Sequence, residues 1–226
     1  MKTLSKRLDS HFAACAVAAA TAVVGSADAA IQMFTYGPTG IQVPADGDGL
    51  YFNLNTGATG TTAGAVGGPW MNPYGLSNQA PPNGPYMNWY ATTAGGSWRG
   101  VNIGGYSNEV SNLGLGFVVG SSIPNSGAAG TARFNTSGGT SWADGLPGDF
   151  SLNADNYFGF RFIRGGATYY GYGVMRMGAA ISERYMMGFA VETTAGASIT
   201  TAAIPAPGAI ALLGVAGVVC GRRRRA

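Results

Sequence analysis

The sequence predicts an all-β fold, an antiparallel β-sandwich of jelly-roll-like type with long glycine-rich loops. Glycine supplies 38 of the 226 residues and charged residues only 10%, which excludes a coiled coil and a charged disordered tail. Short apolar or alternating runs recur along the chain, bounded by Gly, Pro, Asn and Ser, as is typical of strands. No stretch between residues 31 and 203 has a helical hydrophobic period of useful length.

Seven strands are expected, and the last three form the clearest pattern. In chain order they span residues 31–36, 49–54, 99–103, 116–119, 157–163, 168–177 and 185–192. Within 157–163, Phe158, Phe160 and Phe162 alternate with other residues and therefore share one face. Gly165-Gly166 follows, and it can take positive φ at both turn centres, so we predict a β-hairpin that the last strand extends into a meander.

The connections between strands include two long stretches rich in Gly, Ala, Ser and Thr. Residues 55–68 and 121–140 are interpreted as surface loops. A shorter connection, Asp46-Gly47-Asp48-Gly49, has acids at alternate positions, as calcium loops do. Because Pro44 and Asn55 occupy the first and last ligand positions of the EF-hand pattern, we interpret this segment as a turn and expect no metal site.

Residues 1–29 have the three parts of a secretory signal peptide. Basic residues precede an apolar run over residues 12–24, and the small residues Ala27 and Ala29 stand before Ala30 as an A-x-A cleavage site. The apolar run is shorter than the ~20 residues that a spanning helix needs. We therefore predict export and cleavage by signal peptidase before Ala30.

Residues 204–226 form a second signal with three parts. Pro205, Ala206 and Pro207 break the chain ahead of an apolar stretch, which would give roughly 27 Å of helix, a marginal span of the membrane core. Four consecutive arginines follow the apolar stretch: Arg222, Arg223, Arg224 and Arg225. The positive-inside rule would keep them on the cytoplasmic side and the domain outside.

This tail resembles the PEP-CTERM sorting signal of Gram-negative bacteria, in which an exosortase reads a Pro-Glu-Pro-like motif, a short transmembrane helix and an Arg cluster. Pro205 and Pro207 match the two prolines of that motif, and Ala206 stands where the family usually has Glu. The resemblance implies a protein of the cell envelope, cell surface or extracellular matrix, sorted by an exosortase-type membrane transpeptidase and linked to exopolysaccharide and biofilm. The alternative is an ordinary C-terminal membrane anchor.

The segment between the two signals, residues 30–203, lacks the side chains that most enzymes use. It has no Lys, the chain's single His is His11, and the two Cys are Cys15 and Cys220. This composition excludes His- or Cys-based nucleophile pairs, zinc sites with these ligands, lysine Schiff bases and the P-loop. No carboxylate pair stands out, so we predict a non-enzymatic protein without cofactor and keep a carboxylate-only glycosidase as an alternative.

The net charge of +3 arises at the two ends of the chain. Between residues 30 and 203, six Arg stand against eight Asp and Glu, which gives that segment a charge of −2. A basic binding surface on the domain is therefore not indicated, and nucleic acid is not an expected partner.

A motif of the form G-P-aromatic-M-N-x-Y occurs twice, beginning at Gly68 and at Gly84. Aromatic rings on loops commonly stack on the faces of sugars. The rings of the two copies form a candidate polysaccharide-binding platform: Trp70, Tyr74, Tyr86, Trp89 and Tyr90. The chain would then be a carbohydrate-binding module, as an alternative to a purely structural envelope protein. If the rings instead fill one end of the sandwich, they have no ligand.

Overall fold

The regular structure of this chain consists of fifteen β-strands and one helical turn in the parts that the structure describes. The structure is a computed structural model that describes residues 24–26, 29–78, 85–90, 99–103, 109–123, 129–135 and 149–204. Its strands pair antiparallel, except for one parallel pair. The prediction of an all-β fold is confirmed.

The elements are named in chain order. The first part contains β1 (Val24–Ser26), β2 (Ala29–Thr35), β3 (Ile41–Gln42), β4 (Tyr51–Asn53), β5 (Thr59–Gly60), α1 (Ala63–Val66), β6 (Trp70–Asn78) and β7 (Pro85–Tyr90). The second part contains β8 (Arg99–Gly100), β9 (Val118–Val119), β10 (Ala129–Asn135), β11 (Phe150–Ser151), β12 (Ala154–Arg164), β13 (Ala167–Met177), β14 (Arg184–Glu192) and β15 (Ile199–Thr200).

The larger sheet has seven strands in the order β1-β2-β14-β13-β12-β8, and β3 also pairs with β14. Its centre is the meander β12-β13-β14, in which each strand pairs antiparallel with the next. Gly165 and Gly166 have φ of 58° and 81° in the first turn, so the predicted Gly-Gly hairpin is confirmed. Phe158, Phe160 and Phe162 are completely buried on one face, as their alternation predicts.

Two glycines of β13 make room for these phenylalanines. In the register of β12 and β13, Phe158 lies opposite Gly173 and Phe160 lies opposite Gly171. A Cβ on Gly173 would overlap Cζ of Phe158, and one on Gly171 would come within 2.5 Å of Cζ of Phe160. The rings therefore cover the backbone of β13, which a side chain at either glycine would prevent.

The second sheet has six strands in the order β11-β10-β7-β6-β4-β5, and it packs face to face on the first. Its contribution to the shared core comes from Phe52, Met71, Met87, Trp89 and Phe150, all completely buried. The Trp89 ring lies 4.5 Å from the ring of Phe158 in the first sheet. Burial of these large apolar side chains between the sheets is the main stabilising contribution to the fold.

The other face of the seven-stranded sheet is also covered. Strands β9 and β15 pair with each other, and a second core of Val101, Val119, Tyr170, Tyr172, Ala190 and Ile199 lies on that face. Ile204, the last described residue, packs against this second core. Because both faces of the sheet are covered, the middle of β13 is buried continuously rather than at alternate residues.

Both predicted long loops contain regular structure, so those two interpretations were wrong in part. Residues 55–68 include β5 and α1, and the hydroxyl of Thr62 caps the helix by accepting a hydrogen bond from Ala65 N at 3.2 Å. Residues 121–140 include β10, which pairs with β7. Strands β5 and β10 depend on pairing with β4 and β7, and their own sequences lack the apolar alternation that would reveal them.

Most of the two predicted signals lies outside the described residues. Ala27 is not described, whereas Ala29 and Ala30 begin β2, which pairs with β1. The backbone carbonyl of Ala30 accepts hydrogen bonds from the Thr193 amide at 2.9 Å and the Thr193 hydroxyl at 2.6 Å. The sorting motif and the arginine cluster follow Ile204 and are likewise outside. Among the helices that the structure describes, none is long and apolar enough to cross a membrane.

Candidate functional site

The two copies of the repeated motif form adjacent strands. Strands β6 and β7 pair antiparallel, so that Asn72 lies opposite Tyr90 and Tyr74 lies opposite Asn88. Each Asn of one N-x-Y triplet thus faces the Tyr of the other. The prediction that these aromatic residues lie on loops is wrong, because both copies are built into the six-stranded sheet.

Strand alternation divides the predicted platform residues between the two faces of this sheet. Met71, Met87 and Trp89 point inward and have no exposed surface. Trp89 is therefore a core residue and presents no ring to a ligand. Trp70, Tyr74 and Tyr90 lie on the outer face, whereas Tyr86 lies in β7 with its side chain outside the described part of the structure.

Tyr51 of β4 joins three of the predicted residues in a cluster that we call the aromatic patch: Tyr51, Trp70, Tyr74 and Tyr90. The Trp70 ring stacks on Tyr90 at 5.8 Å and 13°, and Tyr51 meets Trp70 edge-on at 4.8 Å. Tyr74 meets Tyr90 edge-on at 6.3 Å. Trp70 is only 9% exposed and supports its neighbours, while Tyr90 is 46% exposed and is the ring most open to solvent.

A shallow cavity of about 230 Å³ opens at this patch. Its walls, which define the patch cavity, are Gly47, Asp48, Tyr51, Asn72, Tyr74 and Tyr90. Three rings thus border a space that also contacts a carboxylate-bearing residue and an amide side chain. Sequence reasoning missed Tyr51 and Asp48 as members of the site, because they come from a neighbouring strand and turn rather than from the repeats.

The Asp46-Gly47-Asp48-Gly49 segment is a turn held against β6. Oδ1 of Asp46 accepts hydrogen bonds from the backbone N–H of Asp48 at 3.2 Å and of Gly49 at 2.8 Å. Gly49 has φ of 63°, and a Cβ there would overlap the carbonyl oxygen of Pro73. The turn interpretation is confirmed, and the Asp46 carboxylate serves to organise it. In the described parts of the chain, no three His, Cys, Asp or Glu residues are grouped to hold a metal ion.

Arg184 of β14 fixes this turn to the rest of the molecule. The guanidinium is completely buried and donates from Nε to the Val43 carbonyl at 3.2 Å, from Nη1 to the Gly75 carbonyl at 2.6 Å, and from Nη2 to the Pro44 carbonyl. Burial lowers the pKa of Arg184 to about 10, and the nearby Asp46 carboxylate opposes that shift. The seven-stranded sheet thereby holds the segment before the turn and residue 75 of β6, which adjoins the cavity residue Tyr74.

The residues that line the patch cavity carry one carboxylate, on Asp48, one amide, on Asn72, and three phenolic hydroxyls, which both donate and accept hydrogen bonds. Nδ2 of Asn72 donates to the Asp48 carbonyl at 2.9 Å, while its buried Oδ1 has no hydrogen-bond partner within the described residues. The carboxylate of Asp48 is exposed and makes no ion pair in the described part of the chain. A ligand that donates hydrogen bonds would suit the exposed carboxylate of Asp48.

A second cavity, of about 350 Å³, lies on the seven-stranded sheet beside Asn153, Ala154, Asp155, Arg176 and Met177. Its two charged side chains pair with each other, because Arg176 donates to both carboxylate oxygens of Asp155 at 2.7 and 2.9 Å. It has no aromatic wall. Each of the two cavities is lined by a single carboxylate residue, whereas a glycosidase needs two across its substrate.

Comparisons with protein-family models, with curated proteins and with solved structures find no match for this chain. The candidate site therefore rests on the residues and geometry of this chain alone.

Proposed function

We propose that this protein is an exported, non-enzymatic protein of the cell envelope or extracellular matrix that binds polysaccharide through the aromatic patch. The observation that carries the proposal is the placement of Tyr51, Tyr74 and Tyr90 around one open cavity, supported from below by Trp70. The repeated motif supplies three of these four rings, so the patch is a feature of the sequence as well as of the fold.

The chemistry of the patch suits a sugar. A pyranose has an apolar face of C–H groups that stacks on aromatic rings and an edge of hydroxyls that need hydrogen-bond partners. The exposed ring of Tyr90 offers such a stacking surface, and Asp48 and Asn72 lie in the same cavity as partners for hydroxyls. The opening is shallow, which favours the side of a polymer over a small enclosed molecule.

The route of export forms part of the proposal and is supported by the sequence. Signal peptidase would release the mature chain at Ala30, and an exosortase-type transpeptidase would act near Pro205-Ala206-Pro207 while the apolar helix and Arg222–Arg225 hold the chain in the membrane. Residues 30–203 would then be a jelly-roll-like sandwich delivered to the surface or matrix of a Gram-negative bacterium. A link to exopolysaccharide and biofilm follows from the resemblance of the tail.

Two observations support a function without catalysis. Residues 30–203 contain neither His nor Lys, and the single carboxylate residue in each described cavity offers no second acid to work with it. A glycosidase would require a paired acid and base across the sugar. The patch would therefore hold a polysaccharide without cleaving it.

Retention of the full-length protein on insoluble polysaccharides tests the proposal. We expect Tyr90→Ala to abolish retention with little change in the free energy of unfolding, because Tyr90 is half exposed. Tyr185→Ala, which removes a partly exposed ring from β14 outside the patch, is the matched control and should leave retention unchanged. Equal retention of the Tyr90→Ala and control variants would reject the patch, and a purely structural protein would show no retention to lose.

A further inference from the structure

We propose that the patch cavity selects glycans without acidic groups, namely neutral sugars and amino sugars, and rejects polymers of uronic acids. This inference rests on the proposed function, since it assigns the class of polysaccharide that the aromatic patch binds. It follows from which hydrogen-bonding groups and charges line the cavity and which do not.

Among the described residues, the one charged side chain that lines the patch cavity is the carboxylate of Asp48. This carboxylate is exposed and accepts hydrogen bonds only, whereas Oδ1 of Asn72 is buried. Sugar hydroxyls and ammonium groups can donate hydrogen bonds to Asp48. A carboxylate on the ligand can accept hydrogen bonds from the tyrosine hydroxyls but cannot donate to Asp48, whose charge would repel it.

The nearest described cation does not offset that repulsion. Arg184 lies behind the turn, has no exposed surface, and directs Nε, Nη1 and Nη2 to backbone carbonyls. The carboxylate of Asp46 already faces its charge. None of the arginines whose side chains the structure describes lines the patch cavity. A ligand carboxylate would therefore meet the negative Asp48, and none of the guanidinium groups that the structure describes lines the cavity to bind it.

The rings around the cavity strengthen this discrimination. Tyr51, Tyr74 and Tyr90 line the cavity together with the exposed Asp48. An ammonium group on the ligand would also be attracted by the face of an aromatic ring. Charge and ring geometry thus favour the same class of ligand.

The experiment compares retention of the full-length protein on a neutral β-glucan, on chitosan and on polygalacturonate, at pH 6 and low salt. We expect retention on the neutral glucan and on chitosan, and weak retention on polygalacturonate. Asp48→Asn should weaken retention on chitosan by about fivefold, strengthen it on polygalacturonate, and leave the neutral glucan unchanged. Asp155→Asn, which removes the same charge at the other cavity, is the matched control and should change none of the three.

The possible outcomes separate this inference from the proposed function. Wild-type retention on polygalacturonate equal to that on the neutral glucan would overturn the selectivity and leave polysaccharide binding intact. No retention on any of the three polymers would overturn both. Identical behaviour of Asp48→Asn and Asp155→Asn would remove Asp48 from the site. If Asp48→Asn fails to fold, a salt titration of the wild type decides, because rejection of polygalacturonate must weaken as salt screens the charge.

Discussion

Among single residues, Gly173 is tightly constrained by its neighbours, because the Phe158 ring occupies the space that a side chain would need. We predict that Gly173→Ala lowers the free energy of unfolding by about 1–3 kcal/mol, the usual range for overpacking a core. Chemical denaturation of the purified protein measures the change. The matched control is Gly64→Ala, since a Cβ at Gly64 in α1 meets nothing within 4 Å.

A double mutant tests whether the stability loss in Gly173→Ala comes from its contact with Phe158 or from a general intolerance of β13 to substitution. Phe158→Leu makes the opposing side chain smaller, so combining it with Gly173→Ala should cost less than the sum of the two single changes. Strict additivity would show that the contact between ring and backbone is not the reason for the loss.

Tyr36 should make the free energy of unfolding depend on pH in the alkaline range. Its ring packs against the main core, its hydroxyl donates to the Gly57 carbonyl at 3.0 Å, and burial raises the pKa of Tyr36 far above its usual value. Above about pH 10 the unfolded chain ionises this residue while the folded chain keeps the proton, so stability is lost as pH rises. Urea unfolding between pH 8 and 11 should therefore show a falling free energy, and Tyr36→Phe should flatten that fall. An unchanged slope in Tyr36→Phe would assign the loss to other groups.

Between elements, Arg184 is the link that joins β14 to the turn at Asp46 and to β6. Arg184→Met would leave the carbonyls of Val43, Pro44 and Gly75 without their donor, and we expect a loss of at least about 2 kcal/mol in the free energy of unfolding. Retention on polysaccharide should fall as well, because Arg184 would no longer hold the segments next to Asp48 and Tyr74 of the patch cavity in place.

The control for that change is a second arginine on the same sheet. Arg176→Met removes an exposed ion pair with Asp155 and should cost less than about 1 kcal/mol. Urea denaturation measures the loss in the free energy of unfolding for both variants. Equal losses would mean that the buried contacts of Arg184 stabilise the fold no more than the exposed ion pair does.

The elements that the sequence predicts well are those with a local pattern. The hairpin of β12 and β13 is recognisable from the alternation of Phe158, Phe160 and Phe162 and from the Gly-Gly turn, because both signals lie within one continuous stretch. Strand β10 is not recognisable, since it pairs with β7, a segment distant in the chain, and α1 is not recognisable because it is a single turn of four residues. Such nonlocal contacts leave little trace in a short sequence window.

The candidate site likewise has residues that a local sequence pattern indicates and residues that depend on nonlocal pairing. The structure brings together Trp70, Tyr74 and Tyr90 from the repeat, but assigning the motif to loops concealed the alternation that sends Trp89 inward. Once β7 is known to be a strand, a residue between Asn88 and Tyr90 must point to the opposite face. The contribution of Tyr51 could not be foreseen, since it depends on the pairing of β4 with β6.

For the whole molecule, the predicted sorting motif follows directly on a residue that is part of the folded domain. Ile204 packs on the second core, and Pro205 is the next residue. We predict that the species recovered from the native host begins at Ala30 and ends between residues 203 and 208, with or without an added group. Intact mass measurement of membrane, surface and medium fractions tests this.

The same mass measurement would also identify an ordinary membrane anchor. A mature chain that keeps Arg222–Arg225 and stays with the membrane fraction would show that the tail is an ordinary anchor. That result would reject sorting by an exosortase-type enzyme. It would not bear on polysaccharide binding by the aromatic patch, which the retention experiment tests.

The contacts between phenylalanine rings and glycines in β12 and β13 also predict how this sequence can evolve. Phe158 and Gly173 share one volume, and so do Phe160 and Gly171, so neither member of a pair is free to change size on its own. Homologues that carry a side chain at residue 173 should have a smaller residue at 158. The two positions would then appear as a covarying pair in an alignment, as would 160 and 171, and this covariation would record the register of the hairpin.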